Sequence, residues 1–214
     1  QLTSITDPLS RVTSFAYDSD GRQTSVTLPD PDGSGSLTAP VYSTSYDNLG
    51  RVLTQTDPLS KVTTFEYDSR SRLTKRTDPD PDGSGSLTSP VTQWAFDAAS
   101  QLTSTTDPLS RVTSFSYDNL GRKILVTLPD PDGSGSLTAP QHSTTFDAVN
   151  NVTSQTDPLG NTTYFDYDHL NRLLVRTEPD PDGSGPGALP ATTFTYNAVG
   201  SLTSLTDPVG NMTS

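Results

Sequence analysis

The sequence predicts an all-β chain: a tandem array of β-hairpins with a 50-residue period and about four short strands per repeat, forming a spiralling or solenoid-like sheet that makes a rod or fibre. Three observations predict it. A block of fifty residues returns at 1–50, 51–100, 101–150 and 151–200 without gap or insertion, and 201–214 begin a fifth copy. A strict period of this kind marks a stacked-repeat architecture. Apolar residues make up only 30% of the chain, beside 15 glycines and 18 prolines. That is too little for a conventional globule, but it suffices where each unit completes a small core against its neighbours. No window sustains helical periodicity, and prolines interrupt every candidate. The chain therefore reads as one continuous array over residues 1–214.

The second block shows the elements in order. Arg51–Thr56 is the first strand and Asp57-Pro58-Leu59-Ser60 turns the chain. Lys61–Tyr67, with Thr, Val and aromatics suited to a pleated surface, is the second. Asp68-Ser69-Arg70-Ser71 leads into the third, Arg72–Thr77. The Asp/Gly/Ser segment 78–90 precedes the fourth, Val91–Phe96, and Asp97-Ala98-Ala99-Ser100 leads to the next block. Asp-Pro pairs at 7–8, 57–58, 107–108, 157–158 and 207–208 join a side-chain acceptor to a residue whose φ is already set for a turn.

Alternation assigns the faces. Phe65 and Tyr67 share one side of their strand, and Val62, Thr64 and Glu66 share the other. The pairs Phe15/Tyr17, Phe115/Tyr117 and Phe165/Tyr167 repeat the arrangement, and the fourth strands add Tyr46, Phe96, Phe146 and Tyr196. The aromatic side is expected to be buried, with rings of neighbouring copies in contact. A coarser pattern lies above the block. Val26–Asp30 and Val126–Asp130 read Val-Thr-Leu-Pro-Asp, whereas Arg76–Asp80 and Arg176–Asp180 read Arg-Thr-Asp/Glu-Pro-Asp, as a duplicated hundred-residue unit would.

The net charge of −12 argues against partners that need clustered Lys and Arg, namely nucleic acid and anionic membranes. With no cysteine there is no disulfide, thiolate zinc site or cysteine nucleophile. No apolar run approaches a bilayer span, so no membrane insertion is expected in this segment. The chain opens on Gln1 and ends inside a repeat at Ser214, as an excerpt of a longer polypeptide would. Its expected partners are neighbouring copies within the same long chain, or self-association.

The stretch Asp157–Arg172, DPLGNTTYFDYDHLNR, carries a Tyr-Asp…Arg signature whose spacing recurs, with Gly before the Arg, at Tyr117–Arg122 and Tyr46–Arg51. It resembles the YD repeats of bacterial Rhs and wall-associated proteins, teneurins and insecticidal toxin complexes. The resemblance runs over the whole chain. Its Tyr-Asp positions are Tyr17/Asp18, Tyr46/Asp47, Tyr67/Asp68, Tyr117/Asp118 and Tyr167/Asp168; Phe96/Asp97, Phe146/Asp147 and Tyr196/Asn197 are degenerate matches. The resemblance implies a long spiralling sheet of hairpins that often closes a hollow shell around a toxic cargo. This chain departs from the pattern through its Asp-rich segment, which makes the Tyr-Asp spacing alternate between 29 and 21. Such uniformity fits a rod better than a container, which must change curvature and close its ends.

Three kinds of site suggest themselves. The loop beginning Asp30-Pro31-Asp32-Gly33-Ser34 resembles the front of an EF-hand calcium loop, and gives the candidate metal ligands Asp30, Asp32, Ser34, Asp80, Asp82, Ser84, Asp130, Asp132, Ser134, Asp180, Asp182 and Ser184. The bidentate Glu at the twelfth position is missing, replaced by Val41, Val91, Gln141 and Ala191, so the competing reading is an acidic turn without an ion. Calcium is the one candidate ion, and no cofactor is required. Asn151, Asn161 and Asn211 stand in N-x-Thr triplets that accept covalent glycans in a secreted protein. Threonines inside strands are expected to form cross-strand ladders instead. No catalytic residue is expected: His142 and His169 lie at non-equivalent positions, and nowhere is the repeat broken in a concerted way. Trp94 reads as a packing substitution. Arg22, Arg72, Arg122 and Arg172 are expected to pair with turn carboxylates.

The function that follows is a non-enzymatic structural repeat protein, extracellular or at the cell surface, forming a β-rich rod or fibril that could carry glycans. The alternatives are a segment of an Rhs-like shell that encloses and delivers a toxin domain, and a calcium-stabilised adhesin.

Overall fold

The computed structural model describes residues 1–33, 35–83, 85–133, 135–180 and 189–214. Among these are eighteen strands and no α-helix. The chain divides into two compact units, Gln1–Ala95 with Thr105–Ser110, and Phe96–Ser104 with Arg111–Ser214. The first holds β1 (Ser4–Thr6), β2 (Val12–Tyr17), β3 (Gln23–Thr27), β4 (Val41–Tyr46), β5 (Val52–Thr56), β6 (Val62–Tyr67), β7 (Leu73–Thr77) and β8 (Val91–Phe96) up to Ala95. The second holds the start of β9 (Leu102–Thr106), then β10 (Val112–Tyr117), β11 (Lys123–Thr127), β12 (Gln141–Phe146), β13 (Val152–Thr156), β14 (Thr162–Tyr167), β15 (Leu173–Thr177), β16 (Ala191–Tyr196), β17 (Leu202–Thr206) and β18 (Met212–Thr213). The expected strands are all present in the second block; β5, β6 and β7 begin one residue later than the sequence suggests.

Within each unit the strands pair antiparallel with their chain neighbours, β1–β2 through β7–β8 and β10–β11 through β17–β18. This up-and-down course puts the Tyr-Asp turns on one edge. The Asp-Pro turns alternate with the Asp-rich loops on the other. Both short turns use one device. The N–H of the fourth turn residue donates to the carbonyl of the leading Asp, as in Gly50→Asp47 at 3.0 Å and Ser60→Asp57 at 2.9 Å. That fourth residue sits at positive φ, from Ser10 at 60° to Gly200 at 89°. Gly or Asn suits the position best, yet Ser fills it at 10, 60, 71, 100 and 110.

The two edges differ in one respect. Hairpins closed by Tyr-Asp turns carry a register shift one residue before the turn, between Ala16 and Tyr17, Ser45 and Tyr46, or Glu66 and Tyr67. The pairings β1–β2, β5–β6, β13–β14 and β17–β18, closed by Asp-Pro turns, run without one. Such a bulge bends its strand and increases local twist, and the shifts recur at the Tyr-Asp edge. The Asp-rich loops close at their stems, where Leu28 N–H donates to the Pro40 carbonyl at 2.8 Å and Asp78 N–H to Pro90 at 2.8 Å.

The expectation of a buried aromatic face is corrected. Among the described residues no side chain is buried. Phe15, Tyr17, Phe65, Tyr67, Phe115, Tyr117, Phe165 and Tyr167 are all half-buried. Among the described residues of each unit a strand touches only the strands beside it in the chain, and no second layer of strands packs on the sheet. The rings also do not face one another in register. Opposite Phe15, Phe65, Phe115 and Phe165 stand Val26, Arg76, Val126 and Arg176. The alternation itself holds: in β2 the residues Thr13, Phe15 and Tyr17 are half-buried, while Val12, Ser14 and Ala16 are exposed.

Candidate functional site

The strongest constellation is the Tyr-Asp edge. Each turn is built by its first carboxylate. Asp47 Oδ1 accepts the N–H of Leu49 at 2.8 Å and of Arg51 at 2.9 Å, while Asp47 Oδ2 accepts Arg51 Nε at 2.6 Å. Asp18 with Arg22, Asp118 with Arg122 and Asp168 with Arg172 repeat the pattern, each Arg Nε reaching Oδ2 at 2.6 Å. Arg72 pairs with Asp68 at 2.6 Å in the same way. One carboxylate thus satisfies two backbone donors and one guanidinium, a charge-assisted set that fixes the turn.

These bonds set the titration of the turns. For Asp68 and Asp168, the N–H of Arg72 and Arg172 is the main reason the carboxyl lies below the ordinary range. For Asp118 it is the Arg122 side chain. Desolvation alone would push Asp18 and Asp47 up, but the hydrogen bonds from Arg22 and Arg51 outweigh it, and both are lowered.

Arg22, Arg51, Arg122 and Arg172 also clasp the next turn of this kind within their units. The Arg22 guanidinium lies 5.0 Å from the centre of the Tyr46 ring and Nη1 donates to the Asp47 carbonyl at 3.2 Å. The Tyr46 hydroxyl returns the contact by donating to the Gln23 carbonyl at 2.9 Å. Arg51 stacks over Tyr67 at 4.8 Å, Arg122 over Phe146 at 4.6 Å and Arg172 over Tyr196 at 4.8 Å. The Tyr196 hydroxyl donates to the Leu173 carbonyl at 3.0 Å. The sequence foretold the carboxylate pairing but not the stacking, because ring and guanidinium come from different turns, with Arg22 and Tyr46 24 residues apart. The available signal was an Arg four residues after the Asp, standing alternately 24 and 16 residues before the next aromatic-Asp pair, as in Arg22 to Tyr46 and Arg51 to Tyr67.

The Asp-Pro edge is looser. Arg11 pairs with Asp7 at 2.7 Å, but its side chain is 62% exposed, against 23% for Arg51. The hundred-residue alternation has a physical counterpart: Arg76 pairs with Asp78 at 2.6 Å and Arg176 with Glu178 at 2.5 Å, where the other copies have Val26/Leu28 and Val126/Leu128.

The candidate calcium ligands occupy their loops as follows. Ser34, Ser84, Ser134, Asp182 and Ser184 lie outside the described residues. Asp30 Oδ1 accepts the Asp32 N–H at 3.2 Å, and Asp32 Oδ2 accepts the Leu37 N–H at 3.0 Å; Asp80/Asp82/Leu87 and Asp130/Asp132/Leu137 repeat this. The Leu37 N–H is the main cause holding Asp32 below the ordinary carboxylate range. A Cβ on Gly35 would collide with the Asp32 carboxylate, so the loop closes around that side chain. Among the described residues no group of three or more His, Cys, Asp or Glu side chains gathers to hold a metal.

The amide nitrogen of every sequon asparagine is engaged. Asn151 Nδ2 donates to Asp147 Oδ2 at 2.9 Å, Asn161 Nδ2 to Asp157 Oδ2 at 2.8 Å, and Asn211 Nδ2 to Asp207 Oδ2 at 2.8 Å. These asparagines stand where other turns have Arg or Lys, and a glycan would replace a turn bond. Cross-strand hydroxyl pairs do occur, Ser45 with Thr54 at 2.6 Å and Thr156 with Thr162 at 2.9 Å.

Fold and edge together define a tandem β-hairpin repeat protein whose neighbouring Tyr-Asp turns are clasped by arginine. The model of the RHS Repeat family matches residues 1–33, 46–84, 96–134 and 146–184. The chain belongs to that family. Among curated proteins no sequence matches. Solved structures share the fold. The crystal structure of TcdB2-TccC3-Cdc42 aligns with a TM-score of 0.60 at 19% identity, covering 95% of this chain and 12% of that one. TcdB2-TccC3 without its hypervariable C-terminal region gives 0.59 at 18% identity, covering 91% and 11%. A Tc holotoxin pore from Photorhabdus luminescens gives 0.52 at 15% identity, covering 97% and 13%.

Proposed function

We propose that this chain is a stretch of wall from an Rhs-like shell, a secreted, non-enzymatic container that encloses and delivers a toxin domain. The observation that carries the reading is the alignment of at least nine-tenths of the chain with toxin-complex chains of which it spans only about an eighth. The geometry agrees with a wall. Its strands touch only their chain neighbours within each unit, and bulges recur along the Tyr-Asp edge, as a sheet that must bend requires.

A rod or fibril is the second reading, favoured by the strict 50-residue period. Reading the whole gene and imaging its product by electron microscopy separates the two. The shell reading expects hollow closed particles and a non-repetitive domain downstream of the array. Extended filaments from a gene that is repetitive to its end would overturn it.

A further inference from the structure

Two places a hundred residues apart differ in one respect. In the first unit Arg51 fills a slot between turns: Nε meets Asp47 Oδ2, the guanidinium covers the Tyr67 ring, and Nη1 donates to the Asp68 carbonyl at 3.1 Å and to Ser71 Oγ at 3.3 Å. In the second unit the corresponding residues are Asp147, Tyr167, Asp168 and Asn171, but the arginine has become Asn151. The shorter amide reproduces one contact to each turn, to Asp147 Oδ2 at 2.9 Å and to Asn171 Oδ1 at 3.0 Å, but not the bond to the following Asp carbonyl or the cover of the ring. Among the described residues no cation stacks over Tyr167 and no cationic side chain forms a salt bridge with the Asp147 carboxylate. What remains is a cleft of about 380 Å³ lined by Asp147, Asn151, Phe165, Tyr167 and Asp168.

We propose that this cleft is a binding slot for a guanidinium group, taken by an arginine side chain of a basic polypeptide partner. The chain's own first unit demonstrates the fit, because the same turn geometry holds a guanidinium there. The ring face and the Asp168 carbonyl supply the two interactions that Asn151 cannot reach. The local field has the right sign. Desolvation pushes the Asp147 carboxyl up, but the bonds from Asn151 and Val149 and the Arg122 charge outweigh it and keep it ionised, and the Tyr167 hydroxyl is pushed up first by desolvation and then by the Asp147 charge. Arg122 pairs with Asp118 and Arg172 with Asp168, and Arg122 Nη1 also donates to the Asp147 carbonyl at 2.8 Å. A chain of net charge −12 also draws basic partners from a distance. The slot is independent of whether the array closes into a shell.

Titration calorimetry of the 214-residue chain with arginine amide, citrulline amide and lysine amide tests it. Arginine amide should bind about tenfold more tightly than neutral citrulline amide, the size expected of a partly desolvated cation–π contact, and more tightly than lysine amide. Asn151→Arg should refill the slot, abolish that binding and leave the melting temperature equal or higher. Arg51→Asn should open a second slot in the first unit and raise the amount of arginine amide bound per chain. The proposal is overturned if N151R binds arginine amide as wild type does, if citrulline or lysine amide binds as tightly, or if wild type shows no heat with arginine amide at tens of millimolar.

Discussion

At the scale of single residues, the turn aspartates carry most of the local order. The carboxyls of Asp47, Asp68, Asp118 and Asp168 lie below the ordinary value of about 3.9. The folded chain therefore binds fewer protons than the unfolded one as acid is added. The stability they contribute is full above about pH 4 and is lost as pH falls through the depressed folded values. Denaturant melts between pH 6 and pH 2 should show a monotonic decline beginning near pH 4, with no maximum below it. The serines at positive φ offer the opposite test. Ser60 at 61° stands where Gly160 and Gly210 occupy the same turn position. Ser60→Gly should stabilise by about 0.5–1 kcal/mol, since relief of left-handed strain exceeds the added chain entropy of glycine. Tyr46→Phe should keep the stacking with Arg22 but lose the bond to the Gln23 carbonyl, costing about 1 kcal/mol in the same melts.

At the scale of elements, the strands and turns were legible because their chemistry is local. Alternating Thr, Val and aromatics mark β6, and Asp-Pro or Tyr-Asp marks its ends. The pairing of each turn aspartate with the Arg four residues on was legible for the same reason. The clasp of Arg22 on Tyr46 was not, because it depends on which turns become neighbours across β3 and β4. The burial of Phe65 was misjudged for a related reason: alternation reports which residues share a face, not whether anything covers it. The calcium resemblance rests on the oxygens of Asp30 and Asp32, and the structure adds that Asp32 accepts the Leu37 N–H. Calcium at millimolar concentration should leave the melting temperature unchanged, and a clear rise would assign those loops to the ion. The clasp itself predicts an asymmetry between edges. Arg51→Ala, which removes a stacked and ion-paired guanidinium, should cost about 1–2 kcal/mol, whereas Arg11→Ala at the exposed Asp-Pro edge should cost under about 1 kcal/mol.

At the scale of the molecule, no described side chain is fully buried and the strands of each unit meet only their chain neighbours. Stability then comes from summed contacts between adjacent copies, as expected of a quasi-one-dimensional array. The hydroxyl pairs, the arginine clasps and the half-covered rings all lie between adjacent strands or turns. The most direct measurement is thermal unfolding, by circular dichroism, of an isolated copy (residues 51–100) beside the 214-residue chain. The account predicts that the single copy shows no cooperative transition under conditions where the full array melts sharply. A lone copy that melted as cooperatively, and at as high a temperature, would contradict it.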